Sequence, residues 1–338
     1  MSRYQPPFTI TPFILNQVVE IGELLGHWAA HSGRTSPLLR KENRIRTIQA
    51  SLAIEHNSLT TGQVTAIMDG KRVLAPEKDI QEVRNAILAY EKLPEWKPWK
   101  LNDLLCAHRL LMMGLVDNPG KLRNGDVGVY RGNQLVHMAP PASQMNRLIG
   151  DLLSWLKQTD LHPLIASSVF HYEFEFIHPF SDGNGRMGRL WQTLILSQWR
   201  AELAWLPVET LIHFQQARYY QILGQCDRAS DCTAFVAFML QNLAEALREG
   251  INMTSAMSEK MSEKMSEKMS EKMSEKLSEK EHTILELLTV QPQMTAVMLA
   301  SVLGVTSRTA ERYLLSLQTK GKLKRLGARK GGSWQVMA

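Results

Sequence analysis

His178-Pro179-Phe180-Ser181-Asp182-Gly183-Asn184-Gly185-Arg186-Met187-Gly188-Arg189 is the stretch on which the chain turns. Pro179 disfavours helix at His178, Gly183 and Gly185 permit torsions that other residues avoid, and an apolar helical period resumes from Arg186 to Arg200. Asp182 to Gly185 therefore falls at a helix N-terminus, where free N–H groups and the helix dipole favour an anion. Arg186 and Arg189 are three residues apart, on one face of the first turn. Two guanidiniums on one face suit a polyphosphate, because each grips oxygens bidentately. Asp182 is a hard oxygen ligand of the kind Mg²⁺ uses beside substrate phosphates, and His178 can take a proton near neutral pH. A lone DGNG also fits a capped turn beside surface arginines; the added histidine and the spacing of the arginines turn the reading toward a phosphate-handling site. No GxxxxGK[ST] occurs, so the cradle is not a Walker loop.

These twelve residues match all nine specified positions of the HPFxDGNGRxxR motif and so resemble the Fic family, whose members mostly transfer AMP from ATP to a hydroxyl side chain of a target protein. The preceding stretch, His162 to Ala166 and His171 to Ile177, also looks like that family's helix before the motif. The resemblance implies that His178 deprotonates the target hydroxyl and that Asp182 holds Mg²⁺ on the phosphates. It further implies that Gly183, Asn184 and Gly185 line the anion hole, that Arg186 and Arg189 bind the β- and γ-phosphates, and that pyrophosphate leaves. Such chemistry is mainly positioning and charge stabilisation.

Upstream, RKENRIRTIQASLAIEHNSLT reads as a charged helix ending near His56-Asn57, with Ser51 and Glu55 one turn apart on one face. A lone Glu at a helix end is ordinarily just solvated. By resemblance, however, the segment is similar to the inhibitory [S/T]xxxE[G/N] motif of some Fic proteins, in which the Glu pairs with the second motif arginine, here Arg189. His56 stands where that motif has Gly or Asn.

Between Gly125 and Pro141 the residues alternate and turn as a β-hairpin around Arg131-Gly132-Asn133. In the Fic resemblance this is the flap, whose edge pairs with the target backbone, and Leu135, Val136, His137 and Met138 are the expected edge. One rival lies in the helix before the motif: His171, Glu175 and His178 run at i, i+4 and i+7, a spacing open to three metal ligands. Pro179 and the glycines argue that His178 has left that helix and that His171 is a buried, hydrogen-bonded histidine. Tyr219 and Tyr220 resemble family aromatics that border the nucleoside, and they equally suit a core.

At 338 residues, two domains with connections are the natural prior. The three cysteines, Cys106, Cys226 and Cys232, form no CxxC and suit a reducing cytoplasm. The N-terminus lacks the basic start and continuous apolar core of a signal peptide, and no apolar run is long enough to span a membrane. Residues 257–280 are five MSEK tetrapeptides and one LSEK. A period of four winds the Met stripe around a helix and stacks Glu on Glu, which predicts a solvated spacer reaching on the order of 36 Å if helical. Beyond it, residues 283–338 carry eight Lys or Arg against two acids, a balance of +6 that equals the formal net charge of the whole chain. Three helical periods and two strand periods there look like a winged helix-turn-helix. Arg308 and Arg312 fall on its third helix, and Lys324, Arg325, Arg329 and Lys330 in its wing, an arrangement that fits DNA phosphates, although such modules also dock proteins.

The expected architecture is mainly α: an N-terminal helical region over 1–100 with the inhibitory helix at about 41–57, a Fic core with a β-hairpin flap over 101–250, a linker over 251–281 and a winged helix over 282–338. The expected activity is autoinhibited protein adenylylation with ATP and Mg²⁺ on a target protein, in the cytoplasm, with DNA as a second partner and a homodimer left open. The alternatives are a nucleotide-sensing DNA-binding regulator, or a Fic enzyme that transfers another phosphate-containing group or removes AMP.

Overall fold

Prolines, glycines and capping side chains decide where the apolar helical periods stop. The computed structural model describes residues 4–31, 37–131, 134–252, 277–327 and 332–337. It divides into two units, Met1–Ser255 and Ala256–Ala338.

The first unit holds α1 (Pro12–His31), α2 (Pro37–Ile54), α3 (Thr61–Met68), α4 (Glu77–Lys92), α5 (Leu101–Met112), β1 (Gly128–Arg131), β2 (Gln134–Met138), α6 (Met145–Gln158), α7 (Pro163–Ile177), α8 (Asn184–Trp199), α9 (Val208–Phe214) and α10 (Gln216–Ala229). Residues 233–252 form α11. α7 and α8 lie side by side at the centre, with Phe170, Phe174, Leu190, Trp191 and Leu194 fully buried between them and their neighbours. α5 and α6 flank this pair, and α2 packs on α8 and α9. The hairpin is antiparallel, pairing Gly128 with Met138 and Val129 with His137, with a register shift at Val129/Tyr130.

Local chemistry explains the ends. Thr60 and Gln63 form a reciprocal capping box at the start of α3, worth about 1 kcal/mol. α2 ends in a Schellman turn: Asn57 N–H donates to Leu52 O (3.1 Å) and His56 N–H to Ala53 O (3.0 Å), with His56 left-handed at φ 69°. α8 starts at Asn184, two residues before the apolar period suggests, because left-handed Gly183 (φ 83°) is its N-cap.

The second unit comprises α12 (Glu279–Val290), α13 (Ala296–Leu303), α14 (Ser307–Thr319) and the antiparallel pair β3 (Leu323–Leu326) and β4 (Ser333–Val336). α12 begins at Glu279, three residues before the module expected from 282, because Ser278 of the last repeat and Glu281 just past it make a capping box. Its core gathers Ile284, Leu288, Leu299, Ala310, Leu314, Leu317 and Trp334. Arg308, Arg312, Lys324 and Arg325 are exposed, the last lying 4.8 Å from the centre of the Trp334 ring. Arg329, Lys330 and residues 253–276 of the repeat segment are outside the described residues. Among the described residues no helix is long and apolar enough to cross a membrane.

One buried acid in the first unit has no sequence signal. Glu209 on α9 is 3% exposed, accepts from Thr193 Oγ1 (3.3 Å) and Tyr90 Oη (3.4 Å), and leaves Oε2 without a partner among the described residues. Burial pushes its carboxyl up to about 7. The folded chain then keeps a proton that the unfolded chain releases above about pH 4.5. Stability therefore falls as pH rises from there to about 7, by about 3 kcal/mol at most, and is flat above. Glu209→Gln should remove this slope: thermal unfolding at pH 5 and pH 8 should show the variant gaining on the parent only at the higher pH.

Candidate active site

α7 is built to stop at His178. Its last turn places His178 N–H on Phe174 O at 3.0 Å, and the residue takes a left-handed conformation (φ 51°, ψ 61°) because Pro179 excludes continued helix. His178 Nδ1 lies 3.3 Å from Glu175 O. A carbonyl only accepts, so Nδ1 carries the proton and Nε2 the lone pair. Burial lowers the pKa of His178, against the pull of the Glu175 carboxylate, so the half-buried ring is a neutral base at pH 7.

The loop that follows is held by backbone acceptors and donors. Asn184, 2% exposed, accepts from Phe180 N–H (3.0 Å) and donates to Phe180 O (2.9 Å), closing the turn on itself. The amide is spent on that closure, leaving the backbone as this residue's contribution to an anion. His108 accepts from Gly120 N–H at Nδ1 (2.8 Å), which leaves Nε2–H to donate to Asp182 O (3.0 Å). Its ring stacks on Phe180 with centroids 3.6 Å apart, and burial lowers its pKa to about 4. Arg123 donates to His178 O (2.7 Å), to Gly125 O (2.8 Å) and to Pro140 O, while its backbone N–H reaches Pro179 O (2.9 Å). One arginine thus ties the base, the loop and the root of the hairpin together. A side chain at Gly183 would meet Met112 Sδ at 2.6 Å, so glycine is required there by both torsion and space.

The two motif arginines separate. Arg186 donates to Glu82 Oε1 (3.0 Å) and Asp182 Oδ1 (3.2 Å) and is not among the residues lining the cavity. Arg189 lines it and is 2% exposed. It binds Ser51 Oγ (3.0 Å), Ser51 O (2.9 Å) and Glu55 Oε1 (2.8 Å), with Nη1 unpartnered among the described residues. The expectation that both guanidiniums meet at one place is corrected: three residues along the first turn, one points toward α4 and the other toward α2. A Cβ on Gly185 would sit 2.3 Å from Glu55 Oε1 and 3.1 Å from Arg189 Nη1. The Glu55 carboxylate therefore lies directly over the glycine turn, where an anion would rest.

The cavity, about 860 Å³, is bounded by the end of α2, the 178–185 loop, α8, α10 from Tyr219 to Arg228, and Val129 and His137 of the hairpin. That volume is in the range of small-molecule sites. His137 Nδ1 lies 2.9 Å from Asp227 Oδ2 and Nε2 lies 2.8 Å from Phe176 O. Both neighbours are acceptors, so the ring is satisfied as an imidazolium. Burial opposes this charge and the Asp227 carboxylate more than offsets it, raising the pKa. His137 thus anchors the hairpin inward, while Met138 beside it is exposed. The side chains of Leu135 and Val136 lie outside the described residues.

Tyr219 is 1% exposed and its hydroxyl pairs with His171 Nε2 at 3.2 Å, so it is a core aromatic at the cavity wall; Tyr220 is half-buried beside it. His171 also binds Gln192 Oε1 at 2.6 Å, as a buried structural histidine should. Among the described residues no group of three or more His, Cys, Asp or Glu side chains is placed to hold a metal. A cation here would need substrate oxygens beside Asp182. That fits Asp182, whose Oδ1 is engaged by Gly183 N–H (2.5 Å) and Arg186 while its half-exposed side chain faces the cavity. Arg123, His108, Asp227 and Glu82 have no local signal; each acts on residues far away in sequence.

Residues 98–196 match the Fic/DOC family. The chain is 28% identical over 215 residues to a Nematostella vectensis protein named protein adenylyltransferase Fic, covering 59% of this chain and 47% of that one. It is 31% identical over 213 residues to its Aedes aegypti namesake, covering 59% and 40%. The chain thus spans less than half the length of these relatives. A crystal structure of a Fic family protein from Desulfovibrio desulfuricans G20 is 45% identical and superposes with a TM-score of 0.72 over 99% of each chain. With that identity across its whole length, and with the motif folded into one cavity-lining turn, the chain belongs to the Fic family.

Proposed function

We propose that the chain transfers AMP from ATP to a hydroxyl side chain of a target protein, and that Glu55 restrains it. The observation that carries this reading is the neutral His178, with Nδ1 committed to Glu175 O and Nε2 available, on the same cavity wall as the Asp182–Gly185 turn and Arg189. His178 Nε2 takes the proton of the target hydroxyl as its oxygen bonds to the α-phosphorus. The bond from that phosphorus to the bridging oxygen breaks and pyrophosphate leaves. The N–H groups at the start of α8 stabilise charge on the phosphates. Arg189 offers Nη1, and the Nη2 contact that Glu55 holds once Glu55 withdraws. Asp182 would hold Mg²⁺, which neutralises phosphate charge when bound. The names of the relatives support the same transfer.

Inhibition follows from competition. The Glu55 carboxylate uses Arg189 and covers Gly185 together, the two places that the terminal phosphates need. The three free cysteines suit a reducing cytoplasm. For the second unit we propose a winged helix that contacts DNA, on the observation that Arg308 and Arg312 stand exposed on α14, with Lys324 and Arg325 exposed on β3.

Intact-mass spectrometry after incubation with ATP and Mg²⁺ tests the first proposal. Glu55→Gly should gain one AMP mass at least about tenfold faster than the parent, as expected for loss of one competing charged contact. Adding His178→Ala should cut that rate on the order of 100-fold or more. ATP binding without any adduct would favour a nucleotide sensor, and another adduct mass would name a different group. Deleting 282–338 should abolish salt-sensitive retention on DNA and leave transfer intact; retention by the truncated chain would place the contact elsewhere.

A further inference from the structure

Arg186 is 6% exposed and shared. Nη1 donates to Glu82 Oε1 at 3.0 Å and Nη2 to Asp182 Oδ1 at 3.2 Å; Nε has no partner among the described residues. Glu82, on α4, is itself 5% exposed. Its second oxygen accepts from Asn57 Nδ2 at 2.8 Å, so the carboxylate is held at both ends and cannot swing. Asn57 is pinned in turn by Asp79 O (3.1 Å) and Leu59 N–H (3.1 Å).

A buried guanidinium demands a counter-charge. Here two carboxylates provide it, and the division decides how Asp182 is presented. With Glu82 holding one side of the fork, a single N–H reaches Asp182. It meets Oδ1, the oxygen already bonded to Gly183 N–H at 2.5 Å, and so Oδ2 is left for something else. If Glu82 lost its charge, Asp182 would be the only anion on Arg186. A lone carboxylate against a guanidinium closes into the bidentate pair and uses both oxygens.

We infer that Glu82 is a positioning residue for the cation site: by holding Arg186 it keeps one oxygen of Asp182 available to a divalent cation carried on a polyphosphate. The inference rests on the nucleotide reading of the cavity, and it concerns cation affinity, not transfer.

The test uses the full chain with Glu55→Gly, an ATP analogue uncleavable between the α- and β-phosphates, and Mn²⁺ as the probe, with free Mn²⁺ read by electron paramagnetic resonance. Glu82→Gln should weaken Mn²⁺ binding in the nucleotide complex about tenfold, while nucleotide affinity in EDTA stays within about twofold. Adding Arg186→Gln should restore most of the lost affinity, because the competitor for Asp182 is gone; a merely structural role would deepen the loss. Unchanged Mn²⁺ affinity in Glu82→Gln, or a double variant weaker than the single, overturns the inference. If Glu82→Gln alone does not fold, Arg186→Gln alone decides: affinity at or above the parent's is expected, and a tenfold loss overturns it. A parent that binds nucleotide in EDTA but no Mn²⁺ overturns this inference alone, and a parent that binds no nucleotide overturns the nucleotide reading with it. Mn²⁺ behaviour as expected, without AMP transfer, overturns only the transfer.

Discussion

Arg189 is all but excluded from solvent yet carries a full positive charge, and a buried cation without a partner is among the costliest features a fold can hold. The chain answers with α2. Ser51 supplies a hydroxyl and a carbonyl, and Glu55 supplies the charge. α2 therefore lies on α8 and α9 with Ile48, Leu52 and Ile54 buried, and this apolar contact keeps the short polar contacts in register. A charge requirement on α8 thus explains why the first helices of the chain belong to the same unit as the motif.

The loop before α8 shows the same economy with neutral groups. His178, Asp182 and Phe180 each have a carbonyl or amide that would otherwise be left bare at a tight turn, and Arg123, His108 and Asn184 meet them. An arginine bound to backbone oxygens alone adds no competing anion near the base. His108, with its pKa lowered by burial, adds no cation. The turn thus gains no acid of its own beyond Asp182, and the charges that face the cavity are those of Glu55, His137, Glu175, Asp182, Arg189, Asp227 and Arg228.

What could be read from the sequence is what is local. Proline after His178, glycines at 183 and 185 and the helical period after them fix one turn, and the turn is found as expected. The hairpin is likewise a short-range matter of alternation and turn residues. The separation of Arg186 from Arg189 is not local: it depends on Glu82 and Glu55, more than a hundred residues upstream of their partners, and no spacing rule couples them. His137 illustrates the limit within one strand. Its grouping with Met138 follows from strand position, yet pleating turns one toward Asp227 and the other to solvent. The histidine at position 56 is explained only by the Schellman turn. The left-handed conformation there suits Gly or Asn best, and a non-glycine residue holds it at the cost of about 1 kcal/mol.

The two arginines and their acids then form a pair of unequal switches. Glu82 is 5% exposed and held by Asn57 within the body of α4; moving it away would strand its own buried carboxylate and leave Arg186 to Asp182 alone, so its pairing with Arg186 is part of the scaffold. Glu55 has a side chain 29% exposed and sits just past the last turn of α2, where its N–H donates to Leu52 O (2.9 Å) and the Schellman bonds and Gln216 Nε2 on Ile54 O (2.7 Å) hold the neighbouring backbone. Water can take over its charge as it leaves, which removes most of the desolvation cost on its side. Under the proposed function, a phosphate arriving over Gly185 would take its place on Arg189, and the guanidinium would not be left alone. One ion pair is built into the scaffold and the other is exposed enough to exchange, and this difference in burial, more than any difference in bond length, is what the proposed reversible restraint by α2 rests on.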